Sequence, residues 1–458
     1  MKYTTIVLLL SIAISSYSQH PEINRANIWY FGNGAGLDFS SGSPVAIANG
    51  ALHTIEGCAT MCDIEGDLLM YTDGDTIWDR THQPMSNGTD LTGCPILGSS
   101  AQASLIIAQP GHDSLYYVFT TDCGENSVAF GLRYNVVNMN LNGGLGDVMP
   151  AHKNILLYTP STEGLTATYN CDETGVWIMS HEYNTNNFVC YFLDENGVDT
   201  VPIISSVGGD YCDFISYMRF SPNGKKFASY NYCGAFADLF DFDNATGMLQ
   251  SYISLPNGGY GTCFSNDNSK LYFTYSGNVI YQYDLITNTM NTYTDPDADN
   301  STYLALSNSV NGQIIISSFY QSVSTLLNPN SPVSSTNLAK FNISLDGMES
   351  QLGLPDFMQN YFNTSPVEDC DTTINTETIG LPLGFSISPN PAHESVNVVY
   401  NGLENATVRL INPIGQIAKK EPLQAKGITM DVSMLPRGIY FMVVSTLNNE
   451  YIQKIILL

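Results

Sequence analysis

The sequence predicts an all-β protein, and three observations predict it. Residues 27–363 repeat a short unit: a polar turn carrying Asp, Asn or Gly, an aromatic-rich strand, a second turn and a second strand. No stretch of useful helical length carries apolar residues at a period of 3.6. The last 74 residues hold short β-prone runs separated by Pro and Gly. Composition agrees, since 43% hydrophobic and 11% aromatic residues are enough to pack cores. With 16 Lys+Arg against 43 Asp+Glu the net charge is −27. That balance excludes a duplex nucleic-acid binder, which needs cations to displace counterions from phosphates. It also excludes adsorption to an anionic membrane surface. At 458 residues the chain exceeds the roughly 250–300 at which one core stops growing. Two domains or a repeat array are expected.

Residues 1–18 read as a signal peptide. Lys2 precedes the apolar run Ile6–Ile14, and Ser16 and Ser18 supply the small residues a signal peptidase needs. Cleavage between Ser18 and Gln19 leaves 440 residues. The run is shorter than the ~20 residues of a spanning helix, and no later segment is longer, so no transmembrane segment is expected.

Residues 19–363 form the repeat domain. Units open at 171, 221, 265 and 309, spaced 50, 44 and 44. A period of about 40–50 residues with four strands per unit is the mark of a β-propeller. Units at Asp63 and Pro110 and the opening segment Asn27–Pro44 bring the count to seven blades. Six or eight blades stay open, and tandem sandwiches are the rival. Trp29, Trp78 and Trp177 offer flat side chains for packing blade on blade. A linker, 364–384, carries Cys370 and four acids. Residues 385–458 then show six β-prone runs: 385–388, 396–400, 407–411, 428–432, 439–445 and 451–457. Their spacing predicts a small immunoglobulin-like β-sandwich.

Ten cysteines, at 58, 62, 94, 123, 171, 190, 212, 233, 263 and 370, favour disulfides in an exported chain, with buried free thiols as the alternative for some. Cys58 and Cys62 sit about 13 Å apart in an extended strand, so a bridge between them needs a turn. No Cys/His cluster has zinc spacing.

Catalytic motifs are lacking. His181-Glu182 has no second His for a metalloprotease site. Gly143-Gly144-Leu145-Gly146 is followed by no βαβ pattern, and neither a G-x-S-x-G elbow nor a P-loop occurs. Asp295, Asp297 and Asp299 alternate as in a calcium loop, yet Asn300 and Leu306 stand where Gly and Glu are required. Two readings stand: a solvated loop, or a partial calcium site completed by backbone carbonyls. No cofactor is required.

Two stretches resemble known families. SISPNPAHESVNV, VRLINPIGQ, MDVSMLPRGIYFMVV and the terminal YIQKIILL resemble the type A C-terminal sorting domain of the type IX secretion system of Bacteroidota. The matching positions are Pro389, Asn390, Pro391, Gly415, Leu435, Pro436, Gly438, Tyr440 and Lys454. The resemblance implies export through the periplasm and recognition by the type IX machinery. NIWYFGNGAGLDF, EGCATMCDIEGDLLMYTDGDTIWDR, MRFSPNGKKFA and YGTCFSNDNSKLYFT resemble the N-terminal propeller of secreted Bacteroidota proteins named for gliding or adhesion. That family implies a fold and no agreed activity.

The expected protein is therefore secreted or held at the outer-membrane surface. It is not an enzyme, and its propeller binds a protein or glycan in adhesion. Two alternatives remain: a polysaccharide hydrolase with paired carboxylates in the funnel, and a structural surface-layer protein. The charge is unevenly placed. Residues 20–363 hold 34 acids and nine bases, whereas 385–458 hold five acids and six bases. The acidity belongs to the repeat domain, where self-repulsion favours solubility.

Overall fold

The computed structural model describes residues 20–458 apart from 95–97, 210, 233–235, 275–276, 298, 300–301, 335–336, 366–384, 401–405, 413–416, 424–426, 446–449 and 458. The predicted signal peptide with Ser18 and Gln19, most of the linker, Gly415, Cys233 and Cys370 lie outside the described residues. The chain divides into two compact units, Met1–Asp369 and Cys370–Leu458. The division falls inside the predicted linker.

Both units are all-β. Among the described residues, the first holds seven small antiparallel sheets in chain order. Their first strands are Ile28–Phe31, Ala59–Cys62, Ser104–Ala108, Ser161–Tyr169, Ser216–Phe220, Gly261–Phe264 and Leu306–Asn308. The fourth to seventh sheets are four-stranded meanders, the first and second have three strands, and the third has five. In the third, Asp147–Val148 and Ile155–Tyr158 both pair with Leu132–Asn138.

The repeat read from the sequence is out of phase with the sheets by one strand. Its signal at 221, 265 and 309 is the turn between first and second strands. In each turn a serine hydroxyl donates to an Asx side chain two residues on: Ser221 to Asn223 at 2.7 Å, Ser265 to Asp267 at 2.7 Å and Ser309 to Asn311 at 2.6 Å. The serine's backbone N–H closes the hairpin onto the carbonyl of Lys226, Lys270 or Gln313. Short polar side chains that bond their own backbone favour such turns.

The first strands abut in chain order, each lying against that of the next sheet. The outer strand of the seventh sheet, Leu338–Ser344, touches that of the first, Val45–Ile47. Where first strands meet, glycine recurs. A Cβ on Gly57 would lie 2.1 Å from the Ala103 nitrogen, one on Gly164 2.4 Å from Ser216 Oγ, and one on Gly261 2.1 Å from the Leu304 carbonyl oxygen. Each glycine thus lets one sheet press on the start of the next. Backbone cannot step aside as a flexible side chain can, so Gly261→Ala is expected to destabilise the first unit by about 3 kcal/mol. A denaturant midpoint unchanged from wild type would refute this close approach.

One segment touches all seven sheets. The Asn33 N–H of the first sheet donates to the Glu349 carbonyl at 2.9 Å, and the rings of Trp29 and Phe357 lie 5.6 Å apart. Leu352 N–H donates to Ile55 at 2.9 Å and Asp356 N–H to Cys58 at 2.8 Å, both at the second sheet. Gln102, leading into the third, reaches Asp356 Oδ1 at 3.3 Å. Asn360 Oδ1 accepts from Thr168 and Tyr169 of the fourth, each at 3.0 Å, and its amide donates to Pro222 in the first turn of the fifth. Asn268 of the sixth donates to Asn363 at 3.1 Å, and Asn308 of the seventh to Gln359 at 3.0 Å. The segment enters beside Ile55, ahead of its first strand, and leaves beside Tyr169 and Asn266, where theirs end. It runs the length of the first strands.

The second unit comprises two antiparallel sheets. One orders its strands Phe385–Ser388, Ser395–Tyr400, Ile428–Asp431; the other Ile417–Leu423, Ala406–Ile411, Gly438–Ser445, Glu450–Leu457. Val396, Val398 and Met430 of the first share a core with Val408, Leu410, Met442 and Val444 of the second. All six predicted strands are present. The seventh, Ile417–Leu423, went unpredicted because Lys419, Lys420, Glu421 and Pro422 give it no apolar alternation. It is an edge strand, where charge and proline are tolerated.

Candidate functional site

Two carboxylates and a phenol lie where the first strands of the even-numbered sheets begin, and a third carboxylate, Glu125, joins them from the third sheet. Glu56 precedes Gly57, Glu163 precedes Gly164 and Tyr260 precedes Gly261, so the close-approach glycines place their neighbours at corresponding points. Tyr260 donates its hydroxyl to Glu56 Oε1 at 3.0 Å. The Ser99 hydroxyl lies 3.2 Å from Glu56 Oε2 and 3.1 Å from Glu125 Oε1, so the two acids share one donor. Glu163 Oε2 accepts from the Ala101 N–H at 3.0 Å and Oε1 from the Gly124 N–H at 2.9 Å. Exposure is graded: Glu125 is exposed, Glu56 is 8% exposed and Glu163 1%. The disulfide Cys94–Cys123 anchors the loop that offers Gly124.

Burial dominates the electrostatics. It pushes the Glu163 carboxyl well above the usual range, and the charge of Glu56 pushes it further, against the two amide donors. Burial also raises Glu56, opposed by hydrogen bonds from Tyr260 and Ser99. Deeper in, Arg219 Nη1 meets Asp356 Oδ1 at 2.5 Å, both side chains 1% exposed. Arg219 Nη2 donates to the Tyr217 hydroxyl at 2.7 Å, and the guanidinium lies 4.9 Å from that ring's centroid. Gln102 ties this pair to two first strands, accepting from the Met218 N–H at 2.7 Å and the Leu165 N–H at 3.2 Å. None of these residues stood out in the sequence. A signal was present, the Glu-Gly pair at 56–57 and 163–164, but it is legible only once the glycines are known to align.

The predicted calcium trio is not brought together. Asp295 Oδ1 pairs with the Lys340 ammonium at 2.6 Å and Oδ2 accepts from the Tyr303 hydroxyl at 2.5 Å. Asp297 is 3.7 Å from the same ammonium, and Asp299 accepts from Tyr320 at 2.7 Å and from Thr302. A lysine holds the place between Asp295 and Asp297 that a cation would take. Among the described residues, only Cys94, Cys123 and Glu125 bring three ligand-type atoms within 4.8 Å, and the two sulfurs are bonded to each other.

Cysteine usage is mixed. Cys171 and Cys212 are also disulfide-bonded, while Cys58, Cys62, Cys190 and Cys263 are buried free thiols. Burial pushes Cys62 and Cys263 up to about 12, which makes them inert. Cys58 precedes and Cys62 ends an extended strand, and with no turn between them the two form no bridge.

His181 is fully buried between Phe188 and Tyr211, at ring distances of 4.5 and 4.2 Å. Burial pushes it down to about 3. The unfolded chain therefore takes up this proton first as pH falls. Its contribution is intact above about pH 6.5 and is lost progressively toward pH 3, by up to about 1.4 kcal/mol per unit. Asp238 and Asp356, raised to about 6 by burial, act in the opposite sense. Subtracting a His181→Leu variant isolates the histidine. Urea midpoints from pH 7 to pH 4 are expected to fall less in the variant; parallel curves refute the assignment.

Among the described residues, hydrogen bonds tie the 389–391 loop to the terminal strand and the Leu435-Pro436 turn to that loop. Asn390 Oδ1 accepts from the Ile456 N–H at 2.9 Å, and the Ala392 N–H donates to the Ile456 carbonyl at 2.8 Å. The 389–391 loop thus caps the outer edge of the terminal strand. Arg437 donates to the His393 carbonyl at 2.6 Å, joining the Leu435-Pro436 turn to the same loop. The Tyr440 hydroxyl closes that turn on the Pro436 carbonyl at 3.0 Å. Lys454 sits opposite Phe441 in the terminal strand, and Gly438 opposite Leu457. Among the described residues, no helix is long and apolar enough to cross a membrane.

Among solved structures, the chain is similar to a candidate 6-phosphogluconolactonase from Bacteroides uniformis. Identity is 11% over 70% of this chain and 98% of that one, with a TM-score of 0.43. It is also similar to KlHsv2 with loop 6CD replaced by a Gly-Ser linker, at 9% identity over 73% and 94%, TM-score 0.39. At these scores neither likeness bears on fold or chemistry. No curated protein matches the sequence. Residues 386–458 match the family model of the secretion system C-terminal sorting domain. The chain thus ends in a type IX sorting domain, which indicates export to the cell surface or the medium.

Proposed function

We propose that the seven sheets are the blades of a β-propeller, that the second unit is an immunoglobulin-like sandwich, and that the exported protein is a non-catalytic binding module. Abutting first strands, and contact between the outer strands of the first and seventh sheets, are what a ring requires. The observation that carries the non-catalytic reading is the state of Glu163. Both its oxygens accept backbone amides, so it is held for structure and not for proton exchange with a substrate. Glu56, Ser99 and Glu125 then form an acidic, hydrogen-bonding mouth for a protein or glycan at the cell surface, in adhesion or gliding. A hydrolase is the second reading, favoured by the proximity of Glu56 and Glu163 with both carboxyls raised. Glycan-array binding by the mature protein, followed by assay of reducing ends, separates them. Binding without turnover is expected. Turnover that disappears in Glu56→Gln transfers the assignment to the hydrolase.

A further inference from the structure

We propose that Glu349–Ser365 is an axial strap that locks the seven sheets together, placing the last piece needed for a stable first unit directly ahead of the export signal. The segment is an internal ligand. Leu354, Phe357, Met358, Tyr361 and Phe362 are at most 2% exposed, although they belong to no sheet. Its polar side chains are as deeply engaged. Asp356 meets Arg219, Gln359 meets Asn308 and Asn360 meets Thr168, reaching three sheets from three nearby positions. Neighbouring sheets share only their abutting faces, whereas this strap bonds all seven at once. Those contacts join residues far apart in sequence, such as 33 with 349 and 168 with 360, so the full set of strap bonds is made only when the sheets are in place. The match to the sorting family begins at 386, soon after the strap ends. A chain whose strap has docked therefore presents a completed first unit and its export signal together. This inference rests on the observed hydrogen bonds and holds whether or not the sheets form a propeller.

The test uses the folded full-length protein with a specific protease site inserted at one of two places. The first lies between Asp346 and Gly347, an exposed turn ahead of the strap, where a Cβ on Gly347 would meet nothing within 4 Å. The second lies between Thr372 and Thr373, beyond it. Cutting at the second place is expected to leave the melting of the first unit unchanged. Cutting at the first is expected to lower its midpoint by about 10 °C or more and make it depend on protein concentration. A synthetic peptide of residues 347–365, in excess, is expected to raise the midpoint again. A body separated from its strap fragment that melts where the uncut chain does overturns the proposal.

Discussion

Deleting residues 385–458 is expected to abolish appearance of the protein at the cell surface and in the medium, and to leave the folded first unit in the periplasm. The expectation rests on two independent facts. Residues 386–458 match the sorting family. Two loops that carry motif positions are also held in the fold: Asn390 accepts from the Ile456 N–H, Arg437 donates to the His393 carbonyl and Tyr440 to the Pro436 carbonyl. Cell fractionation with blotting of periplasm and medium reads the result. Truncated protein at the surface in wild-type amounts would refute the sorting role. A smaller change tests the geometry. Asn390→Ala removes the acceptor that caps Ile456, a loss of about 1 kcal/mol to the second unit, and is expected to reduce export without destroying the fold.

Much of this fold was legible in the sequence, and the legible parts share a cause. Ser221, Ser265 and Ser309 were found because their turns need a short side chain that bonds its own backbone, and few residue types do that. Six strands of the second unit were found because one face is buried and the other wet, which writes alternation into the chain. What escaped was set by tertiary context. Ile417–Leu423 is an edge strand and carries no alternation. Glu56 and Glu163 are ordinary acids until Gly57 and Gly164 bring neighbouring sheets together around them. Asp295, Asp297 and Asp299 left two readings open for the converse reason. Spacing suggested a shared cation, but Lys340, distant in sequence, supplies the positive charge.

Arg219 illustrates how much the centre of the first unit depends on a pairing that no local pattern announces. Replacing it with Met is expected to cost about 3–5 kcal/mol, because Asp356 is then left charged, buried and without its partner. The pH dependence identifies the mechanism. Burial already pushes the Asp356 carboxyl up to about 6, against the pull of Arg219. Without the guanidinium the folded-state value rises further, while the unfolded chain ionises near 3.9. The unfolded value is common to both proteins, so the penalty grows only as pH rises above about 6, where the wild-type carboxyl ionises and the variant's is still protonated. Urea midpoints of Arg219→Met and wild type are expected to run parallel below about pH 6 and to move apart as pH rises from about 6 to about 8. A gap independent of pH would assign the loss to packing alone. The double variant Arg219→Met, Asp356→Leu removes both charges, and an apolar pair of similar volume is often as stable as the ions it replaces. Its midpoint is expected to recover most of the single variant's loss. Recovery would place the weakness in the abandoned charge; none would place it in the hydrogen bonds through which Arg219 and Asp356 join the strap to Tyr217 and Gln102.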